Sequence, residues 1–252
     1  MTPSVIVTTE ELVNMGACEP GLAWWAEHFP SGAAEFDVIV AALLEDGQNN
    51  YLYWLKEAYD CDSYTFEELD YNAKSVAIDE LTGDMDYSFL YDDFVRAGEM
   101  IGVEFEFRKG MRIEPCIWWS GFYHQGSGLG YDATYRYAKG APKAVASEWP
   151  QDTELKNIAI ALQAAQRRNF YRLRASVGSV RDTSIRVEVE DWDNPYRDIG
   201  DAESDVESAL QDFASWMYKQ IQDQYEYETS EEVVGQQCLD NDYRFDQRGR
   251  LI

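Results

Sequence analysis

The sequence has little positive charge and no long apolar run. Its 252 residues contain 21 Lys and Arg against 47 Asp and Glu, which gives a formal net charge of −26. Proteins that bind nucleic acid directly carry basic patches that release counterions from phosphates, so this balance argues against that class. No segment approaches the roughly 18–20 uncharged apolar residues of a membrane span, and residues 1–7 lack the features of a signal peptide. We therefore expect a soluble, cytoplasmic protein that contacts neither nucleic acid nor membrane directly.

The cysteines are few and form no metal-binding pattern. Cys18, Cys61, Cys116 and Cys238 lie far apart, with no Cys-x-x-Cys pair and no neighbouring histidine. Neither a zinc site nor a redox pair is predicted from such spacing. The acidic loops also lack the glycine and glutamate positions of a calcium-binding loop. The sequence therefore predicts no metal and no cofactor.

The chain contains enough apolar residues for a core, and its acidic residues are unevenly distributed. Hydrophobic residues make up 45% of the sequence, so a chain of this length can bury a substantial core. Residues 1–102 hold 21 acids and three bases, residues 103–190 hold 10 acids and 13 bases, and residues 191–252 hold 16 acids and five bases. The acidity could serve bulk solubility, binding to a basic partner, or imitation of a polyanion. The near-neutral segment at 103–190 argues against bulk solubility as the role of the acidic residues.

The apolar pattern changes from a helical period to a two-residue period and back. It predicts an α+β fold with an N-terminal helical region, a central antiparallel sheet with an inserted helix, and a long C-terminal acidic helix. We expect an acidic helical region at 1–102 and a sheet-plus-helix region at 103–252, which could also form one domain. Predicted helices begin near Thr8 and Asp152, whose side chains can cap them, and others cover 22–29, 36–44, 51–58, 89–101 and 201–227. Predicted strands cover 103–107, 113–122, 129–137, 170–177, 184–189 and 243–245.

The sequence offers no complete catalytic motif, and we predict that the protein is not an enzyme. His28 and His124 are the only histidines. His124 could meet Ser120 and Asp132, but no nucleophile-elbow sequence accompanies it. The glycines of residues 126–130 lead into a predicted strand, which favours a hairpin turn over a phosphate-binding loop. An enzyme or small-ligand module built on the aromatic centre around His124 stays an alternative, which substitution of His124 and Gln125 would test.

Two motifs resemble phage and prophage proteins of unassigned role. One is Gly16-Ala17-Cys18-Glu19-Pro20-Gly21-Leu22-Ala23-Trp24, similar to G-A-C-x-x-G-x-x-W, and the other is Ser120-Gly121-Phe122-Tyr123-His124-Gln125-Gly126-Ser127-Gly128, similar to S-G-F-W-S-Q-G-D-G. Tyr123-His124 replaces Trp-Ser in the second motif, and Ser127 replaces Asp. The resemblance implies a phage or mobile-element origin, and therefore action in a host cytoplasm. It also leaves an antitoxin-like or accessory role open.

These features predict a phage-encoded inhibitor of a bacterial defence nuclease complex of the CRISPR–Cas type. It would bind stoichiometrically and present a DNA-mimicking acidic surface to the basic nucleic-acid-binding surface of the host complex. The alternative is an antitoxin-like or accessory protein that binds another basic partner. The aromatic content also permits a homodimer. The candidate residues for the acidic surface are Glu67, Glu68, Asp70, Asp79, Glu80, Asp84, Asp86, Asp92, Asp93, Asp201, Glu203, Asp205 and Glu207.

Charge density adds a requirement to this prediction. A helix over residues 201–228 is about 40 Å long and carries eight acids. One DNA strand of that length carries about a dozen phosphates. The hypothesis of mimicry therefore requires acids from the N- and C-terminal regions to share one face.

Overall fold

Two stretches of sequence from opposite ends of the chain combine into one structural unit. The structure is a computed structural model that describes residues 5–59, 61, 63–83, 85–109, 113–181 and 183–252. Unit 1 comprises Met1–Met85 and Tyr227–Ile252, and unit 2 comprises Asp86–Glu226. The chain is mixed helix and sheet, with N-terminal helices, a central antiparallel sheet and a C-terminal helix. The predicted α+β class is confirmed.

Unit 1 is mostly helical. Numbered in chain order, its elements are β1 (Ile6–Thr8), α1 (Thr9–Asn14), α2 (Glu19–His28), β2 (Ala33–Glu35), α3 (Phe36–Glu45), α4 (Asn49–Ala58), a 3₁₀ turn (Phe66–Glu68), α5 (Tyr71–Thr82) and α10 (Glu231–Asp240).

The first part of unit 1, from β1 to α4, forms what we call the N-terminal module. Thr8 caps α1 in a capping box, because its side chain accepts from the Glu11 backbone while the Glu11 side chain accepts from the Thr8 backbone. β1 pairs antiparallel with β2. A cluster of buried residues runs through the four helices and includes Val7, Trp25 and Leu52. The helices predicted over 22–29, 36–44 and 51–58 are therefore confirmed.

The second part of unit 1 joins α5 to the C-terminal residues. Its buried cluster includes Tyr53, Phe66, Ala77, Val234 and Phe245. The predicted strand at 243–245 reduces to a single position, because only Phe245 forms backbone bridges, with Tyr64 and Leu251.

Unit 2 contains the sheet. Its elements are a 3₁₀ turn (Ser88–Leu90), α6 (Tyr91–Ile101), β3 (Val103–Phe105), β4 (Phe107–Lys109), β5 (Ile113–Pro115), β6 (Ile117–Ser120), β7 (Gly128–Tyr131), β8 (Ala133–Arg136), α7 (Ala141–Glu148), α8 (Thr153–Arg168), β9 (Leu173–Val180), β10 (Ser184–Asp191) and α9 (Ala202–Glu228), whose last two residues fall in unit 1.

The main sheet is antiparallel, with strand order β10-β9-β8-β3. β9 and β10 pair over their full length, from Leu173 opposite Asp191 to Val180 opposite Ser184. Buried and exposed residues alternate along β8 and most of β9. Such alternation means that one face of the sheet packs on the core and the other faces solvent.

Three bent strands meet at a ring of backbone hydrogen bonds. The Glu106 N–H donates to the Asp132 carbonyl (2.9 Å), the Asp132 N–H to the Cys116 carbonyl (2.9 Å), and the Cys116 N–H to the Glu106 carbonyl (2.7 Å). Each residue interrupts a strand, as β-bulges do when they redirect a chain. The strands predicted at 103–107, 113–122 and 129–137 are therefore each divided in two. The additional strands form the two-stranded sheets β4–β5 and β6–β7.

The buried face of the sheet packs against α9 and α8. The Phe213 ring of α9 lies 5.9 Å from the Tyr131 ring and 6.2 Å from the Phe105 ring. Gln166 of α8 is fully buried and bonds both backbone groups of Leu173. Asp152 caps α8 as predicted, and the apolar stripe of α9 is buried as predicted.

The compact units divide the chain after residues 85 and 226, so the C-terminal residues belong to unit 1. The acidic helical region at 1–102 and the sheet-plus-helix region at 103–252 stay predictions of domain organisation. The sequence pattern did not predict α5, α7 and α10. Each of these helices buries only two residues, one turn apart: Ala73 and Ala77, Ala141 and Val145, Val234 and Cys238. Two small or medium side chains produce almost no periodic signal.

Candidate partner-binding site

The acidity is concentrated in unit 1. Within the bounds of this unit the sequence has 23 acidic and five basic residues, whereas unit 2 has 24 acidic and 16 basic residues. Three of the five basic side chains are already paired: Lys56 with Glu68, Lys74 with Glu231, and Arg244 with Asp242. The surface of unit 1 is therefore strongly anionic.

Glu68 does not belong to that surface, which corrects the sequence prediction. Its side chain is 8% exposed and lies 2.6 Å from the Lys56 ammonium. The same carboxylate accepts the Thr65 N–H at 2.7 Å, which completes a capping box. Separating a buried carboxylate from its cation leaves an uncompensated buried charge, which is strongly unfavourable, so Glu68 is not available to a partner.

The other predicted residues of unit 1 that the structure describes are partly or fully accessible. Glu67, Asp79 and Glu80 are exposed, and Asp70 is half-buried. Asp70 caps α5 by accepting the Ala73 N–H at 2.9 Å. Glu80 accepts the Leu251 N–H at 3.1 Å. Asp84 lies outside the described residues.

The predicted residues of unit 2 fall into two groups. Asp92 and Asp93 lie in the first turn of α6, and Asp86 precedes the 3₁₀ turn before that helix; all three are exposed. Asp86 accepts from the backbone and hydroxyl of Ser88. Negative side chains at this end of the helix interact favourably with its dipole.

The second group lies in the first turns of α9. Asp201 and Glu203 are exposed, and Asp205 and Glu207 are half-buried. Asp205 forms an ion pair with Arg168 at the end of α8. Its negative charge is therefore partly balanced.

The second group belongs to the first turns of α9, whereas the first group lies next to the middle of that helix. Phe94, next to the first group, packs on Trp216 at a ring distance of 5.8 Å. Glu207 lies nine residues before Trp216 on the same helix, which is about 13 Å along the axis. The prediction that acids from both terminal regions share one face stays a prediction.

The motif around His124 forms a loop packed on α9. Phe122 lies 4.7 Å from Tyr225 and 5.6 Å from Tyr218, measured between ring centroids. The Tyr218 hydroxyl donates to the Gly121 carbonyl at 2.6 Å, and the Tyr123 hydroxyl donates to Glu226. The loop joins β6 to β7 as a hairpin connection, which agrees with the predicted turn.

Ser120, His124 and Asp132 have separate partners. The His124 ring lies 3.2 Å from the Ser127 hydroxyl, and Asp132 accepts the Ser179 N–H at 2.7 Å. Ser120 lies in β6, paired with Gly128 of β7. Within the described part of the chain, these contacts do not assemble Ser120, His124 and Asp132 into one hydrogen-bonded relay.

The N-terminal module contains an apolar pocket that the sequence pattern did not predict. The pocket has a volume of about 310 Å³ and is lined from α1, α2, α3 and α4 and from the loop between α1 and α2. Buried residues such as Leu12 and Leu43 form its floor, and the half-buried Trp24, Tyr51 and Trp54 form its rim. The only sequence signal was the local density of tryptophan, which does not reveal an opening between helices.

The described residues contain no group of three or more His, Cys, Asp or Glu side chains that could hold a metal ion. Across the same residues, no helix has the length and apolarity needed to cross a membrane.

These features define a two-unit α+β protein with an acidic helical unit and a sheet-containing unit. Residues 87–231 match a domain of unknown function, DUF8835. Because this match covers more than half of the chain, the protein belongs to the DUF8835 family. Residues 1–61 are similar to the YdhT N-terminal domain. No curated protein and no solved structure matches the chain.

Proposed function

We propose that this protein is a stoichiometric binding protein that docks the anionic surface of unit 1 on a basic partner. The partner is the nucleic-acid-binding surface of a bacterial defence nuclease complex of the CRISPR–Cas type. The protein is phage-encoded, acts in the host cytoplasm and inhibits by competing with nucleic acid.

The proposal depends on one observation: unit 1 contains 23 acidic residues and only five basic ones. Lys56, Lys74 and Arg244 are held in ion pairs. Exposed carboxylates such as Glu67 and Asp79 then set the sign of the surface potential. The resemblance of residues 16–24 and 120–128 to phage proteins supports the origin.

Electrostatic attraction would mainly raise the rate at which the two proteins meet. Complementary charge raises the association rate and selects against acidic partners. Exposed charges are screened by salt, with a Debye length of about 10 Å at 0.1 M ionic strength. Binding to such a partner therefore weakens as the salt concentration rises.

The test begins with affinity purification of the tagged full chain from a defence-positive host, followed by mass spectrometry of the bound proteins. The partner is then titrated against wild type and against the double variant Glu67→Lys/Asp79→Lys, at low and high salt. We expect the variant to lose about tenfold in affinity at low salt, because two reversed charges oppose the basic partner.

The matched control is Glu99→Lys/Asp223→Lys, which changes the net charge equally but at exposed positions of unit 2. Its affinity is expected to stay within about threefold of wild type, since long-range charge alone contributes modestly. Equal losses in both variants, or an affinity independent of salt, would contradict docking through unit 1.

A plaque assay separates the defence inhibitor from an antitoxin-like or accessory protein. Expression of the chain should restore phage plating on a defence-positive host and leave plating on an isogenic defence-negative host unchanged. A variant with His124→Ala and Gln125→Ala should keep this activity. Loss of activity in that variant, with the fold intact by circular dichroism, would favour a role for the aromatic loop instead.

A further inference from the structure

The apolar pocket of the N-terminal module is open although its walls are hydrophobic. Its floor is part of the buried cluster that contains Trp25 and Ile39, while its rim residues Trp24 and Trp54 stay half-buried. The volume of about 310 Å³ lies at the lower end of the roughly 300–1,000 Å³ that ligand pockets span, so the pocket suits a small occupant such as one bulky side chain. An opening of this kind leaves apolar surface in water until an occupant covers it.

Two features shape the pocket. Small residues line one side, and a Cβ atom added at Gly21 would lie 3.3 Å from the Cys18 sulfur and 3.8 Å from the Tyr51 ring. On the rim, the Trp24 indole N–H donates to Asp46 at 2.6 Å, and its ring stacks on His28 at 4.3 Å. These contacts hold the indole in place.

The net charge of the N-terminal module favours a basic occupant. Residues 5–59 contain nine acids and a single Lys or Arg residue, Lys56. Lys56 is buried and paired with Glu68, so it does not offset the surface charge. Asp46 accepts from the rim tryptophan and also lies 2.9 Å from the His28 ring, and the exposed Glu19 directly follows Cys18. A cationic segment with an apolar side chain complements both the apolar pocket and the net negative charge of the module around it.

We infer that this pocket receives one bulky apolar side chain from a basic segment of the partner protein. The inference rests on the proposed function, because it names the element by which the basic partner is recognised. Burial of the side chain supplies specificity, and the surrounding carboxylates attract the flanking lysines and arginines.

The first test uses two synthetic peptides and the intact protein. One peptide has the sequence Lys-Arg-Lys-Trp-Lys-Arg-Lys, and the other has Gly in place of Trp. We expect the Trp peptide to bind about tenfold more tightly in fluorescence anisotropy, because only this peptide fills the pocket. Equal affinities would overturn the inference.

A second readout locates the binding. Of the four cysteines, all within the described residues, Cys18 alone is exposed, and it lines the pocket. The rate at which N-ethylmaleimide alkylates Cys18 is measured by mass spectrometry. The Trp peptide should slow this alkylation, and the Gly peptide should not. Unchanged alkylation in the presence of saturating Trp peptide would place its binding elsewhere and overturn the inference.

A pocket-filling variant has a matched control on the same helix. Gly21→Leu directs a side chain toward the pocket, and Ala26→Leu adds equal bulk at an exposed position outside the lining. We expect Gly21→Leu to abolish the difference in affinity between the Trp and Gly peptides, and Ala26→Leu to preserve that difference. If Gly21→Leu fails to fold by circular dichroism, Trp54→Ala removes a rim residue and should reduce the difference.

Partner binding distinguishes failure of this inference from failure of the proposed function. If Gly21→Leu leaves partner affinity unchanged while Glu67→Lys/Asp79→Lys weakens it, the pocket is not the recognition element and the acidic docking stands. If neither variant alters partner affinity, the proposed function fails as well. Loss of affinity in both variants supports both.

Discussion

At the residue scale, the Asp191 carboxylate binds the turn that follows β10. It ends β10 and is 1% exposed. Its Oδ1 accepts the backbone N–H groups of Asp193 (2.9 Å) and Asn194 (3.3 Å), and its Oδ2 accepts from Arg197 at 2.8 Å. Burial by itself raises the pKa of this carboxyl, but the hydrogen bonds from Arg197 and the two backbone groups outweigh it and lower the pKa. The charged form is therefore favoured in the folded state.

This shift predicts a pH-dependent contribution to stability. Because the folded pKa of Asp191 lies below the unfolded value of about 3.9, its contribution is present above that value and is lost as the pH falls through the folded pKa. Asp191→Asn should lower the urea midpoint at pH 7, and the difference from wild type should shrink as the solution is acidified below about pH 4. Urea unfolding at several pH values measures this.

Glu99→Gln is the control for Asp191→Asn, because Glu99 is exposed on α6. Its unfolding curve should follow that of wild type at each pH. If Asp191→Asn lowers the urea midpoint by the same amount at neutral and at acidic pH, the lost hydrogen bonds, and not the charge, account for the effect.

At the element scale, a single glycine allows α6 to end against β8. Gly102 has a φ of 93° and caps α6 in the left-handed region. Its carbonyl accepts the Arg136 N–H at 2.9 Å. A Cβ atom at this position would lie 1.9 Å from the Arg136 carbonyl oxygen. The turn from α6 into the sheet therefore requires a residue without a side chain.

Replacing this glycine should destabilise the protein. Gly102→Ala combines a left-handed backbone, which costs about 1–3 kcal/mol for a non-glycine residue, with direct overlap on the neighbouring strand. We expect a loss of at least 1 kcal/mol in the free energy of unfolding, about the lower end of that range, measured by urea denaturation. Gly178→Ala in β9 is the matched control, because a Cβ there meets nothing within 4 Å. Equal stability of the two variants would contradict the steric explanation.

At the scale of the whole molecule, the net charge of −26 favours expansion of the chain. A large net charge destabilises compact states by self-repulsion. The counts of acidic and basic residues give unit 1 a net charge of −18 and unit 2 a net charge of −8. The repulsion therefore falls mainly on the unit that carries the proposed docking surface.

Salt should consequently stabilise unit 1 more than unit 2. We expect about 0.5 M NaCl to raise the Tm of the unit 1 transition more than that of the unit 2 transition, because salt screens the repulsion. Leu52→Ala, at a fully buried position of the N-terminal module, identifies the first transition in calorimetry, and Gly102→Ala identifies the second. Equal shifts, or a larger shift for unit 2, would contradict this account.

Local signals explain which parts of the fold could be predicted. Thr8 and Asp152 were predicted as helix caps because a cap depends on residues three positions away. The stripe of α9 was predicted because its apolar residues recur over many turns. Helices such as α5, which buries only Ala73 and Ala77, carry too little periodic signal.

The candidate site was predicted less completely. Exposure of Glu67 and Asp79 followed from residue type, since acids are mostly exposed. Glu68 was wrongly placed on the surface, because its cation, Lys56, lies 12 residues earlier and reaches it only after folding. The apolar pocket requires four helices to pack around one opening, which no local pattern encodes.

The amino-acid sequence by itself determined the amount of acid, its concentration toward the two ends, and the helices and strands with strong local patterns. Those properties depend on composition or on contacts within a turn of helix or a pleat of strand. Only the tertiary structure decided that both chain ends build unit 1, that Glu68 is buried, and that Trp24, Tyr51 and Trp54 surround an opening. These depend on packing between residues far apart in sequence, where shape and burial select the partners.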